Sequence, residues 1–216
     1  MPTLETERLL IRPLALDDLP DIHRILDIEL AEVNWGHDET QAPDERRQWL
    51  QWTVVSYDQL ARLYQPPYGE RAIVLRSSEQ LIGAVGYVPC LMPFEQLPSL
   101  RTEDGLRPNT TEFGLYWAIS PAHQRQGYAA EAARAMIAYA FDTLKLKRVV
   151  ATTTYDNVAS MGVMRKVGMR VEQNPLAEPP WLQVVGILEN AAWRTRICRS
   201  DQAARPAQSD SVPGEN

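Results

Sequence analysis

The stretch SPAHQRQGYAAEAARAM, residues 120–136, begins where the apolar run FGLYWAI (113–119) stops and passes straight into an alanine-rich helix. A plain connector between a strand and a helix needs only turn formers. This one carries Gln124, Arg125 and Gln126 and then Gly127. A turn whose successive N–H groups point outward, followed at once by a helix N-terminus, suits a phosphate: the free amides donate hydrogen bonds and the helix dipole adds about half a positive charge. Gly127 lets a ligand approach the backbone, and Ala129 keeps the first turn slim. Many α/β folds share a strand–turn–helix with one glycine, so a second element must support the reading.

That element lies thirty residues on. The segment 111–119, TEFGLYWAI, is continuously apolar rather than alternating, which predicts a central strand covered on both faces. A helix from Gly127 to about Leu144 buries Ala133, Ile137, Ala140, Phe141 and Leu144, and KRVVATTTY (147–155) is another buried strand. DNVASMGVMRKVGM (156–169) comes next as a short helix, capped by Asp156 or Asn157 and stopped at Gly168. Two helix N-termini then flank adjacent parallel strands, the usual ligand position in an α/β sheet.

Upstream, ERLLIRPL (7–14) reads as a first strand stopped by Pro13, and LDDLPDIHRILDIEL (16–30) as a helix capped by Asp17 or Asp18. A second helix runs from Pro43 to about Leu63, with Asp44 and Glu45 in its first turn. RAIVLRSSEQLIGAVGYV (71–88) reads as a hairpin turning at Ser77–Gln80. Residues 89–110, with prolines 89, 93, 98 and 108, read as a long loop of the kind that forms lids or binding loops. WLQVVGILEN (181–190) supplies a late strand, and 199–216 a disordered tail. Trp35, Trp49, Trp52, Tyr57 and Tyr64 belong mostly to the core, with one or two lining an acceptor pocket; His23 is a surface residue, and His37 sits in a loop.

The pattern Gln124-Arg125-Gln126-Gly127-Tyr128-Ala129 resembles the acetyl-coenzyme A loop of the GNAT N-acetyltransferase superfamily. Asn157-x-x-Ser160 with Arg165-Lys166-Val167-Gly168-Met169 resembles its second coenzyme motif. LETERLLIRPL (4–14) and ILENAAWRTR (187–196) are similar to the RimJ/RimL-like branch, which includes ribosomal-protein N-terminal acetyltransferases. The resemblance spans about residues 4–197. It implies an α/β (α+β) fold: one αβα GNAT-like domain over residues 1–198, with a mixed, mostly antiparallel twisted sheet. The family's fourth and fifth strands, here 111–119 and 147–155, would form its parallel pair. It also implies acetyl-CoA as co-substrate and an amine acceptor, a protein N-terminus or a small molecule, attacked directly in a ternary complex. The family loop often has Thr or Ser where Ala130 stands, which removes one hydroxyl from the phosphate site.

The resemblance further implies the site residues. The backbone at Trp117, Ala118 and Ile119 would hold pantetheine and polarise the thioester carbonyl, a contribution of about 3–4 kcal/mol for such an oxyanion donor. Gln124, Arg125, Gln126, Gly127, Tyr128 and Ala129 would bind the pyrophosphate, and Asn157 and Ser160 the pantetheine arm. Ser160 would also donate toward the leaving sulfur, and Glu112 would act as base. Tyr128 is expected to pack rather than react. A thioester is already activated, so no covalent intermediate is required, and nothing near Cys90 would make it a thiolate. The rival on the same fold is a non-catalytic acetyl-CoA sensor or interaction module.

Composition bounds the partners. The chain has 216 residues, 44% hydrophobic, enough for one good core, and no apolar run long enough to span a bilayer. The N-terminus lacks a basic region followed by an apolar run, which predicts a cytoplasmic protein without a signal peptide. Two cysteines and three isolated histidines form no metal-ligand spacing, so no metal is expected. Net charge of −6 argues against phosphate-driven nucleic-acid binding. The distribution is uneven: residues 121–170 carry +5 and the remainder −11. The basic half suits coenzyme phosphates and the acidic half a cationic amine.

Overall fold

The computed structural model describes residues 1–31, 41–66, 68–102 and 108–195. Within them an eight-stranded sheet runs in the order β1-β2-β3-β4-β5-β6-β8-β7. The strands are β1 (Leu4–Glu5), β2 (Leu9–Pro13), β3 (Gly69–Leu75), β4 (Leu81–Met92), β5 (Thr110–Ile119), β6 (Arg148–Thr153), β7 (Arg170–Gln173) and β8 (Val184–Glu189). Every neighbouring pair is antiparallel except β5 and β6, which run parallel. The mixed, mostly antiparallel sheet with one parallel pair is the expected one.

Helices cover both faces. On one face α3 (Tyr128–Asp142) buries Ala133, Ile137, Ala140 and Phe141, and α4 (Val158–Val167) adds Met164, against Leu115, Val149 and their neighbours. On the other, α1 (Leu19–His23), the π-helical turn Arg24–Glu29 that continues it, and α2 (Pro43–Arg62) pack Ile22, Ile25 and Leu50 onto Ala72, Ala84 and Ala118. Central β5 therefore contributes Leu115, Trp117 and Ile119 to one core and Ala118 to the other, which is why its sequence does not alternate. Asn157 settles the cap of α4: its side chain accepts from the Ser160 N–H at 2.9 Å, and Gly168 ends the helix at φ +91°.

Several expectations need correction. The chain does not leave the sheet at Pro89; β4 continues to Met92, paired with β5 as far as Met92 opposite Thr110. After Met92 the chain is ordered into the 3-10 turns Phe94–Gln96 and Pro98–Leu100, with Phe94 and Leu97 buried against Val150 and Ile187. Asp18 stands at the N-cap of α1, one of the two expected positions, but its side chain makes no bond to that helix. It reaches back to the Ala15 N–H (2.8 Å) and grips Arg12 through two 2.7 Å bonds. Trp52 and Tyr64 are exposed, while Trp49 and Tyr57 are half-buried. His23 is half-buried too, its Nε2 3.3 Å from the Gln41 carbonyl. Trp35, His37 and the tail 199–216 lie outside the described residues.

Candidate active site

The turn between β5 and α3 is held by side chains so that its amides stay unused. Gln124 Nε2 donates to the Ile119 carbonyl (3.0 Å) and Gln126 Nε2 to the Ala122 carbonyl (3.2 Å). Arg125 (φ 60°) and Gly127 (φ 88°) both take left-handed backbone, which turns the chain sharply into the helix. The first backbone N–H of α3 to be satisfied is that of Glu131, donating to the Gly127 carbonyl at 3.0 Å. The consecutive N–H groups of Arg125 to Ala130 have no acceptor among the described residues. They form the open donor row that the sequence predicts for an anion.

A residue that sequence reasoning missed organises this row. Arg8, just ahead of β2, donates to the Gln126 carbonyl (3.1 Å) and pairs with Glu131 through Nε (2.7 Å) and Nη2 (2.6 Å). It also lies 4.4 Å over the Tyr128 ring. Tyr128 thus packs, as expected. Burial pushes the Glu131 carboxyl up, but Thr6, the Arg8 N–H and the Arg8 guanidinium together hold it below its ordinary value. A carboxylate in the first turn of α3 is thereby neutralised locally. Beside it lies a cleft of about 600 Å³ lined by Glu7, Arg8, Gly127, Glu131, Arg134 and Lys166, among others. Arg134 Nη2 donates to the Lys166 carbonyl (2.8 Å), which fastens the middle of α3 to the C-terminal end of α4. The basic composition of 121–170 pointed to this rim without showing which cations form it.

The parallel pairing of β5 and β6 has one register position among the described residues, Gly114 opposite Val150. Beyond it the expected backbone triad divides. The Ala118 carbonyl lies 2.1 Å from where a Cβ on Gly83 would sit, so Ala118 faces β4. Backbone groups alternate along a strand, so Trp117 and Ile119 face the seam toward β6. Gln124 occupies the Ile119 carbonyl. Trp117 therefore presents both its N–H and its C=O at the opened edge.

Ser160 lies in the first turn of α4, its N–H on Asn157 and its hydroxyl without a hydrogen bond among the described residues. Glu112, expected as base, sits near the start of β5 with its carboxylate held at both oxygens by Arg148 (2.8 and 2.9 Å), which also reaches Glu189 at 3.2 Å. This two-pronged guanidinium pair occupies both carboxylate oxygens, leaving neither turned toward a substrate. The geometry gives Glu112 the job of fastening β5 to β6 and β8. Replacing it with Gln is expected to lower the melting temperature and leave the pH–rate profile unchanged; loss of a limb of that profile would return the base role to Glu112. Burial pushes the Cys90 thiol up, which keeps it protonated and unreactive. Among the described residues no group of three or more His, Cys, Asp or Glu is placed to hold a metal ion, and no helix is long and apolar enough to cross a membrane.

The acetyltransferase (GNAT) domain model matches residues 8–170. The chain belongs to the GNAT acetyltransferase family. Acetyl transfer to nitrogen, with acetyl-CoA as co-substrate, is the reaction of that family. Two relatives come from Bacillus subtilis. The uncharacterized N-acetyltransferase YoaA is 27% identical over 172 residues, 79% of this chain and 84% of its own. The uncharacterized N-acetyltransferase YnaD is 44% identical over 64 residues, 30% of this chain and 36% of its own. Among solved structures, an acetyltransferase from Agrobacterium tumefaciens is 25% identical with a TM-score of 0.63, covering 88% of this GNAT chain and 95% of its own. A RimL ribosomal L7/L12 acetyltransferase in complex with coenzyme A shares the fold at 14% identity and a TM-score of 0.58, over 86% of this chain and 95% of its own.

Proposed function

We propose that this GNAT protein moves an acetyl group from acetyl-CoA to a primary amine, on a protein N-terminus or a small molecule, by direct attack in a ternary complex. The observation that carries the reading is the row of unpartnered N–H groups from Arg125 to Ala130 at the start of α3, beside the edge where β5 and β6 part. These residues fit the coenzyme: the amides and helix dipole suit a diphosphate, Arg8, Arg134 and Lys166 supply positive charge along the cleft, and Gly127 leaves the approach open.

Bound there, the thioester supplies an activated acetyl group. The Trp117 N–H is a donor for the carbonyl oxygen as negative charge develops on it. Asn157 and Ser160, where α4 begins, face the pantetheine arm. The Ser160 hydroxyl donates toward the departing sulfur; the free thiol titrates near 8.5, so at pH 7 this assistance is worth at most about 2 kcal/mol. Ser160→Ala is therefore expected to lower kcat about tenfold, a larger effect than its loss of acetyl-CoA affinity. Asn157→Ala should instead cost about 1 kcal/mol of stability through the lost cap. Unchanged kcat in Ser160→Ala would remove the hydroxyl from the reaction.

The acceptor belongs with the RimJ/RimL-like branch on the residues of LETERLLIRPL and ILENAAWRTR, and an α-amine needs less deprotonation at pH 7 than a lysine does. An α-amine is about a tenth neutral at pH 7, a lysine amine less than about a thousandth. The acidic charge outside residues 121–170 suits a cationic acceptor. Purified protein with acetyl-CoA and a panel of peptides, polyamines and small amines tests the reading, followed by thiol release and by a mass shift of about 42 Da per acetyl group. Coenzyme binding without transfer to any of them would favour a sensor module.

A further inference from the structure

Nearly every buried or half-buried carboxylate among the described residues is matched by a donor from another residue. Asp18, Asp27, Glu29, Glu112, Glu131 and Glu189 each meet an arginine, and Glu95 and Glu172 take donors from Thr102 and the Ser99 N–H. Glu70 is the exception: it has no ion pair, and its one hydrogen-bonding influence is its own backbone N–H. Evolving chains rarely leave such a group half-buried without a use, because desolvating an unpaired charge is costly.

Its position is specific. Glu70 stands opposite Gly86 on β4, and Gly86 stands opposite Tyr116 on β5, so the three share one row and one face, that covered by α1 and α2. A Cβ on Gly86 would lie 2.3 Å from the Gly69 carbonyl oxygen and 2.7 Å from the Glu70 Cα. Strand β3 therefore leans over the vacant side-chain position, carrying Glu70 toward β5. Two strand spacings, about 10 Å, separate the outer backbones, so Glu70 and Tyr116 lie on the same face within reach of one bound group. Tyr116 immediately precedes Trp117, whose backbone groups face the opened seam.

The surrounding charges are fixed. Arg46 on α2 is held by Asp27 through two 2.7 Å bonds, so it lies near Glu70 without pairing with it. Tyr57, also on α2, donates to the Glu70 carbonyl at 2.5 Å and fixes the backbone there; Tyr116 faces Glu70 from β5.

We propose that Glu70 is the acceptor-binding carboxylate of the acetyl transfer, holding the ammonium group of an incoming primary amine and taking its proton. The inference rests on the acetyl-transfer reading above and gives that site its base. The ammonium gives one proton to Glu70, the freed nitrogen lone pair forms the C–N bond, and the C–S bond breaks with its electron pair on sulfur. The acylated nitrogen sheds its second surplus proton, which passes to that sulfur through Ser160 or solvent, and Glu70 returns the first to water. Burial pushes the Glu70 carboxyl up, against its own N–H and Arg46, which brings it closer to the range of an effective base. Activity should fall as pH drops through that raised range, because the protonated carboxyl can no longer accept.

The test compares wild type, Glu70→Gln and Glu70→Asp with n-butylamine and with a tripeptide bearing a free N-terminal amine, alongside a calorimetric titration of acetyl-CoA. The expected result is a loss of about 100-fold or more in kcat/KM for Glu70→Gln, with its acidic limb flattened, and partial recovery in Glu70→Asp. Acetyl-CoA affinity and melting temperature should stay near wild type in both. Wild-type kcat/KM and pH profile in Glu70→Gln would overturn the proposal. Absence of acetyl-CoA binding in the unmodified protein would overturn the transfer reading itself, and the titration tells the two failures apart.

Discussion

Gly127→Glu is expected to weaken acetyl-CoA binding by at least about 100-fold, or about 2.7 kcal/mol, with the fold retained. Gly127 takes φ +88°, a conformation that costs an ordinary residue about 1–2 kcal/mol. The position is open: within 4 Å of its would-be Cβ lies Arg8 Nη2, at 3.4 Å, and nothing closer. Sterics alone therefore predict a modest loss. The carboxylate adds two larger effects. It places negative charge among the amides that await a diphosphate, and it can draw Arg8 from Glu131 and the Gln126 carbonyl. Gly127→Ala isolates the backbone strain and should lose far less affinity. Equal losses in the two variants would mean that charge plays no part in the site.

Asp27→Ala should give the largest loss of stability from a single side chain, about 3–5 kcal/mol. Asp27 and Arg46 are 5% and 9% exposed, so removing the acid leaves a buried guanidinium without its partner. Trp49, 4.6 Å from that guanidinium, softens the cost but cannot replace two charge-assisted bonds. Asp27→Leu with Arg46→Met should recover much of the loss, since an apolar pair of similar volume avoids desolvation. The single variant also carries a consequence for activity. A released Arg46 is free to turn to Glu70, which would quench the proposed base, so kcat should fall in Asp27→Ala beyond what unfolding accounts for. Urea denaturation with a parallel rate measurement checks both effects.

Local pattern made much of this molecule readable. The span of α2, the hairpin of β3 and β4, the central strand and the Asn157–Gly168 helix come from apolar period, caps and glycines within a few residues of one another. Pro89 misled because proline ordinarily ends a strand; here β4 passes through it and keeps its register with β5. β7 was invisible because four residues acquire strand character only from pairing with β8.

The site divides the same way. The loop at 124–129 is legible because its chemistry is local backbone. Arg8 reaches Gln126 across 118 positions, and Arg148 claims Glu112 across 36, so neither partnership leaves a local trace. Glu70 reads as an ordinary strand residue until its row with Gly86 and Tyr116 is known.

Isothermal titration of acetyl-CoA into the unmodified protein, at low and at raised salt, bears most directly on the open amide row. One coenzyme should bind per chain, with affinity falling as salt screens Arg8, Arg134 and Lys166, and with binding nearly lost in Gly127→Glu. No heat of binding in the wild type, or undiminished affinity in Gly127→Glu, would contradict the assignment of Arg125 to Ala130 as the diphosphate grip.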